Sequence, residues 1–402
     1  MIYLDNAAST PVDKQVVKAM IPYWREDFAN PSSLHNLGKQ ARQSLQSARI
    51  TVANFLACSL EEVVFTSGAT ESDNLAIKSV IKGILNQTEA NSAENCICCK
   101  VFKPHIITLK IEHYAVLKPC EEMQKMGMAE TTFLGVGSDG IVSLEDFKKA
   151  IKPNTRLVSI MYANNEIGAI QPIKEISQII REENQKRSEN MRIYFHTDAA
   201  QGYCLDCNVN SLGVDLLSFS AHKFGGPKGA GVLFARHFVP FLPIINGGAQ
   251  ENGKRAGTVN IPAVMGLKKA LEDLDAKDFR KIEKLRNLLI KKVEKEIAGA
   301  KLIGSRQKRV YGNANFSFTG VEGESLMMKL SDKGFAVSTG SACTAGTSQA
   351  SYVLESLNLP GQEIRSSIRI SLGKQNTRKE ILAFIEALKK SVEELREIAG
   401  KN

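Results

Sequence analysis

The stretch 216-LLSFSAHKFGGPKGAGVLF-234 decides how the rest of the chain is read. Leu216 to Ser220 is an apolar run that reads as a buried strand and stops in small polar residues. Lys223 follows at once beside His222, and a loop holding four glycines comes next. A lysine that faces solvent needs no such company. A lysine that must meet a bulky group at the end of a buried strand does, because glycine keeps the space beyond it small and turns without steric cost. In open parallel sheets ligands sit beyond the carboxyl ends of the strands, so the other strand ends come next.

Apolar runs at Val63–Ser67, His105–Lys110, Thr155–Asn164, Arg192–Ala200 and Leu216–Ala221 read as buried strands. Amphipathic stretches such as ESDNLAIKSVIKGIL and IKEISQIIREENQKR lie between them. This alternation predicts an α/β fold with a mostly parallel sheet clothed by helices. It holds over a large domain, residues 15–260. After Pro262 the pattern changes. A long helical stretch from about Ala263 to Ala298 leads to strand-like NANFSFTG and a last helix, KEILAFIEALKKSVEELREI. Residues 1–14 and 261–402 are therefore expected to form a smaller α+β domain, joined to the large one by the long helix.

With 402 residues and 43% hydrophobic content the chain can bury a substantial core. The formal net charge is +9, but the basic residues alternate with glutamates on helices, as in DFRKIEKLRNLLIKKVEKEI. They read as solvated helix faces rather than a nucleic-acid surface. No charged leader with an apolar core opens the chain and no run reaches membrane-spanning length, so a cytoplasmic protein without membrane contact is expected. Eight cysteines in this length are too sparse for a disulfide scaffold.

The strand ends carry distinctive groups. GATESDNLAIKSV opens a helix after VVFTS, which places Ala69 and Thr70 at a helix N-terminus suited to a phosphate. His113 follows HIITLK, Asn165 follows LVSIMYAN, and Asp198 ends RIYFHTD with Gln201 just beyond. A carboxylate at the end of a buried strand needs a cationic partner, and a protonated pyridine nitrogen is one. Each group alone also has an ordinary reading as a cap or a packed side chain. A carboxylate for a pyridinium, a lysine for an aldehyde and a helix N-terminus for a phosphate are together the attachments that pyridoxal 5'-phosphate requires. In the C-terminal part, Cys343 lies in STGSACTAGTS among small residues, which suits a nucleophile better than an inert core thiol. Arg369, in RSSIRISLG, is a candidate carboxylate clamp.

From Tyr3 to about Leu395 the chain resembles the cysteine desulfurases of the NifS/IscS type, group I of the class V aminotransferase family. The motifs that carry the resemblance are YLDNAASTP, NPSSLH, FTSGATESDNLAIK, EHYAVL, NNEIG, HTDAAQ, SFSAHKFGGPKG, GGAQENGKRAGT, STGSAC and SSIRISLG. It implies pyridoxal-phosphate fold type I and removal of sulfur from L-cysteine. L-alanine is released and a persulfide is left on Cys343. That sulfur passes to an iron–sulfur scaffold or another acceptor protein, for cluster assembly or tRNA thiolation, and Cys343 itself could ligate a cluster transiently. Lys223 would hold the cofactor covalently and, with His113, move protons. Asp198 would pair with the ring nitrogen, Gln201 with the ring hydroxyl, and His113 would stack on the ring. Ala69, Thr70, Ser220 and His222 would bind the phosphate. Thr258 would reach the phosphate of a neighbouring subunit, which implies a homodimer. Asn165, Arg369 and Asn30 would hold the substrate carboxylate, with Asn165 also beside the cofactor.

The chain departs from the pattern at Ala29 and Ala249, where glycine is usual, and after Cys343, where a common Glu-Pro pair is absent. Asn86–Pro104 looks like a longer surface connector than usual. It carries Cys96, Cys98 and Cys99, and a second cluster is Cys204 and Cys207. Neither has a clear second half for a metal site, so both are expected to be ordinary reduced thiols, and no resident metal is expected. Three alternatives stand beside the main reading. A selenocysteine lyase would share these motifs. An aminotransferase would not need Cys343, and a non-catalytic scaffold for sulfur-transfer partners would need neither Lys223 nor Cys343.

Overall fold

The computed structural model describes residues 1–92, 102–340 and 350–400. Among these, twelve strands are β1 (Ile2–Tyr3), β2 (Val63–Thr66), β3 (His105–Leu109), β4 (Glu130–Leu134), β5 (Thr155–Ser159), β6 (Tyr194–Asp198), β7 (Leu216–Ser220), β8 (Gly231–Ala235), β9 (Ala300–Ile303), β10 (Asn313–Phe318), β11 (Phe335–Ala336) and β12 (Ser367–Ser371). Seven form one sheet in the order β2-β8-β7-β6-β5-β3-β4. All neighbours in it are parallel except β8, which runs antiparallel to both β2 and β7.

The central strands are apolar on both faces because helices cover both. Ile107, Val158, Phe195, Leu217 and Phe234 point into one core, and their neighbours Ile106, Leu157, Tyr194, Leu216 and Leu233 into the other. That alternation is the two-residue period of an extended chain. A third core gathers Phe316, Phe318, Ile368 and Ile370 from β10 and β12 against Leu289, Val293, Phe384 and Leu388. β10 and β12 belong to a three-stranded antiparallel sheet with β9. Leu4 joins this third core, and β1 pairs with β11. The N-terminal segment then runs from there back across the end of β7, where Thr10 Oγ1 donates to the His222 carbonyl.

Two expectations change. The long helix is two helices, Ile261–Glu272 and Ala276–Glu296. The second is started by Asp275, whose carboxylate accepts from Lys277 N at 2.8 Å; an N-cap of this kind ends one helical run and begins another. The connector expected from Asn86 is helical at its start, since the helix Val80–Ser92 continues into it. The cluster Cys96, Cys98 and Cys99 lies outside the described residues, as does Cys343. No described helix is long and apolar enough to cross a membrane.

Candidate active site

Lys223 ends a single 3₁₀ turn, Ala221–Lys223, that follows β7 directly. Its Nζ donates to the carbonyl oxygens of Ala7 at 2.8 Å and Ala8 at 3.0 Å. Gln201 Nε2 reaches the same Ala7 carbonyl at 2.9 Å. The N-terminal segment thus holds two groups that the sequence places in separate motifs.

The glycines after Lys223 answer a packing demand. A Cβ on Gly231 would lie 2.4 Å from the Gly68 Cα, so β8 and the turn before Ala69 approach backbone to backbone. Helical structure begins at Ala69 and continues through one π turn, Leu75–Ser79, to Ser92. Glu71 fixes its first turn by accepting from Ser67 N at 2.7 Å and Arg255 Nε at 2.8 Å. Ser220 is buried close to the same place: a Cβ on Gly68 would meet its Oγ at 3.4 Å. His222 Nδ1 lies 3.3 Å from Ser9 Oγ, and burial, with Lys223 and Lys228 nearby, pushes its imidazole down to about 4.

Asp198 ends β6 and is 5% exposed. Its Oδ1 accepts from Ala200 N at 2.8 Å. Burial raises its carboxyl above the ordinary range, while that bond and the charges of His113 and Lys223 pull it back. His113 caps the helix Tyr114–Lys125 by accepting from Ala115 N at 3.1 Å on Nδ1. Burial lowers its imidazole pKa, so the neutral ring carries its hydrogen on Nε2. Lysine, imidazole and carboxylate thus converge on one place at the carboxyl ends of the strands.

On the adjoining side, Arg369 of β12 is 3% exposed. Its Nη2 donates to Asp5 Oδ1 at 2.8 Å and its Nη1 to the Asn165 carbonyl at 3.1 Å. Arg369 Nε and Asn165 Oδ1 are buried without a hydrogen-bond partner, an arrangement that leaves donor and acceptor capacity for a bound polar group. Asn30 and Thr258 lie elsewhere in this chain. They line a separate polar cavity of about 380 Å³ with Arg42, Arg49 and Gln250, and none of Lys223, Asp198, His113 or Arg369 lines it.

The sequence reading passed over Asp5, Asp73, Glu112 and Glu166, all within quoted motifs. Glu166 is 2% exposed. Burial pushes its carboxyl up to about 7, against the Ser351 hydroxyl and the Arg369 charge. A Cβ on Gly340 would sit 1.9 Å from its Oε1. The signal for these residues was the charge itself: a carboxylate inside an apolar strand-end motif is costly and calls for a reason.

The four described cysteines are poor nucleophiles. Burial pushes Cys58 and Cys204 up to about 12 and raises Cys120 and Cys207 further. The described residues contain no group of three or more His, Cys, Asp or Glu able to hold a metal ion, Cys204 and Cys207 included.

These residues fit a phosphorylated pyridine aldehyde. The amine of Lys223, the buried carboxyl of Asp198 and the glycine-lined helix start at Ala69 supply the three attachments, with unpartnered Asn165 Oδ1 and Arg369 Nε beside them.

Residues 2–384 match the family model described as aminotransferase class-V. The chain is 43% identical over 404 residues to a protein of Dictyoglomus turgidum named cysteine desulfurase IscS, covering 99% of this chain and 96% of that one. It is 42% identical to the protein of that name from Methanosarcina thermophila, covering 99% and 93%. Among solved structures, one titled NifS-like protein superimposes with a TM-score of 0.85 at 35% identity, covering 98% of this chain and 99% of the other. One titled SspA in complex with cysteine gives 0.79 at 33%, covering 94% and 100%.

Proposed function

The chain belongs to the aminotransferase class-V family, and from that premise we propose how its residues work as a cysteine desulfurase, an enzyme dependent on pyridoxal 5'-phosphate. One observation carries the assignment of roles: Lys223, His113 and Asp198 meet at the carboxyl ends of the central strands, where burial raises the Asp198 carboxyl and the Ala200 N–H and Lys223 oppose that rise. Bound there, the cofactor supplies an electron sink for the bonds at the substrate α-carbon.

The protein's own groups do the rest. Lys223 would hold the cofactor covalently, and its amine is the group placed to move a proton at the substrate α-carbon. The Ala7 and Ala8 carbonyls hold that nitrogen in place. Neutral His113 would stack on the cofactor ring, with Nε2 as the atom that would hold or move a proton. Asp198 would pair with the ring nitrogen and Gln201 with the ring hydroxyl. Ala69, Thr70, Ser220 and His222 bind the phosphate. Arg369 and Asn165 hold the substrate carboxylate, and Asn30, in the separate cavity with Thr258, would contribute to it only from a second subunit.

Cys343 takes the sulfur: its thiolate bonds to the sulfur of cysteine, the carbon–sulfur bond breaks, and a persulfide and L-alanine result. High pKa values at the four described thiols support this choice. Thr258 serves the cofactor phosphate of a second subunit, so the working unit is a homodimer. Its place in a polar cavity apart from Lys223 supports that reading. The large cofactor-binding domain is 15–260, and 1–14 with 261–402 form the small one. The persulfide passes to an iron–sulfur scaffold or another sulfur-acceptor protein in the cytoplasm.

The test is direct. Purified enzyme loaded with pyridoxal phosphate is given L-cysteine, and alanine, sulfide and protein persulfide are measured. Equal amounts of alanine and transferable sulfur are expected. Formation of pyruvate and ammonia instead would overturn the reading in favour of elimination.

A further inference from the structure

Behind Asp198 lies a row of polar side chains that the roles above do not use. Tyr194, His196 and Asp198 alternate along β6 onto one face of the sheet. Ser159 pairs with His196 from β5, and Ser218 pairs with Asp198 from β7. The Ser159 Oγ is 2.9 Å from His196 Nδ1, and the Ser218 Oγ is 2.9 Å from His196 Nε2. Asp73, on the helix that starts at Ala69, completes the row with Oδ1 3.6 Å from the same Nε2.

Asp73, Ser159, His196 and Ser218 are all 0% exposed, and neither carboxyl oxygen of Asp73 has a hydrogen-bond partner. An ionised carboxylate there would be a fully buried anion with the Ser218 hydroxyl as its one available donor and no cation beside it, which is the costly arrangement. A carboxylic acid needs only an acceptor.

We propose that Asp73 is a neutral carboxylic acid and a positioning residue for Asp198, closing the row from Ser159 through His196 and Ser218 as its innermost donor. The groups that face it support this. Burial is the largest influence, Asp198 of β6 repels a second anion, Glu112 from the loop after β3 is itself pushed well up by burial and offers no cation, and His196 is kept neutral by burial, down to about 3. The Ser218 hydroxyl is the one influence that favours the charged form, and it serves an acid equally well as acceptor. Burial raises Asp198 as well, but Asp198 has what Asp73 lacks, a backbone donor at 2.8 Å in Ala200 N and the nearby Lys223 amine, so the anion of the cluster falls to Asp198.

The row can be hydrogen-bonded in two senses, and the tautomer of His196 tells them apart. With Asp73 an acid, its O–H donates to Ser218, Ser218 donates to Nε2, and Nδ1–H donates to Ser159. With Asp73 ionised every bond reverses and the ring hydrogen sits on Nε2. No bond to carbon changes in either sense. The inference uses the proposed meeting of Asp198 with the cofactor only for its consequence; the tautomer can be read without any cofactor.

The experiment is nitrogen-15 correlation spectroscopy of histidine-labelled protein at neutral pH, cofactor-free and loaded, with the His196 signals assigned by their loss in His196→Asn. The Nδ1–H tautomer is expected, and Asp73→Asn should keep it, since the amide donates in the same sense. Cofactor affinity, read by fluorescence titration, should stay within about twofold in Asp73→Asn and weaken roughly tenfold in Asp73→Ala, the equivalent of about one pKa unit at Asp198. An Nε2–H tautomer in the unmodified protein, or a switch of tautomer in Asp73→Asn, would overturn the neutral acid. The expected tautomer with unchanged affinity in Asp73→Ala would overturn the positioning role.

Discussion

Arg369 and Asp5, 364 residues apart in the chain, form a partly buried ion pair at 2.8 Å. The other terminal nitrogen of Arg369 is held by the Asn165 carbonyl. The guanidinium proposed to grip the substrate is therefore fixed before substrate arrives, by the N-terminal segment on one side and the loop after β5 on the other. Such preorganisation lowers the entropy lost on binding.

Arg369→Lys should keep the charge and lose the fixed fork, since an ammonium cannot hold Asp5, Asn165 and a carboxylate in one plane. A charged hydrogen bond contributes about 1.5–3 kcal/mol, so kcat/KM for cysteine should fall roughly ten- to a hundredfold, mostly through KM. Steady-state kinetics checks this. An unchanged KM would remove Arg369 from the substrate site.

Lys223→Ala should fold, because the residue stands beyond a strand end and its amine bonds to the Ala7 and Ala8 carbonyls rather than packing in the core. It should bind cofactor non-covalently and lose turnover. Borohydride reduction of the unmodified enzyme, followed by peptide mass mapping, should place the cofactor on Lys223; finding it on Lys228 would refute the assignment.

Cys343→Ala should retain the visible colour of the bound cofactor and its spectral response to cysteine. Alanine and sulfide production should drop by several orders of magnitude. Serine at Cys58, Cys120, Cys204 or Cys207 should leave turnover largely intact, because burial keeps those thiols protonated. Near-normal alanine release by Cys343→Ala would mean that another group takes the sulfur.

Glu166 gives a pH signature. Its carboxyl is raised from 4.5 to about 7 in the folded protein, chiefly by burial, so the folded state holds the proton more tightly than the unfolded one. Stability from this group is greatest below the unfolded value and declines as pH rises from there to about 7. Glu166→Gln removes that slope and should gain on the unmodified protein by up to about 3 kcal/mol at pH 8 relative to pH 4. Urea denaturation at the two pH values measures it; parallel curves would show that Glu166 ionises normally.

Thr258→Ala should loosen cofactor retention without altering the subunit fold, and sedimentation of the unmodified enzyme should give a dimer. A fully active monomer would contradict the shared site.

Much of this molecule was legible in local sequence. Lys223 could be singled out because a strand, a lysine and glycines lie within one short run, and the alternation of apolar runs with amphipathic stretches announced a covered parallel sheet. These are short-range signals, set by the two-residue strand period and by the conformational freedom of glycine. The resemblance added roles for residues whose local patterns are ambiguous, such as Gln201 and Thr258.

Other features depend on contacts between distant segments, and one-dimensional patterns carry no record of those. The antiparallel course of β8 arises from its pairing with both β2 and β7, and a parallel run would show the same apolar pattern. The break between the two helices after Glu272 rests on a single cap at Asp275. The hold of the Ala7 carbonyl on both Lys223 and Gln201, the pairing of Asp5 with Arg369, and the polar row from Ser159 to Asp73 join residues from three or four elements. The sequence by itself determined which side chains stand at the strand ends, because strand period and turn chemistry are local. Tertiary structure alone decided which of them share a proton or a charge, because the energy of a buried carboxyl depends on every group packed around it.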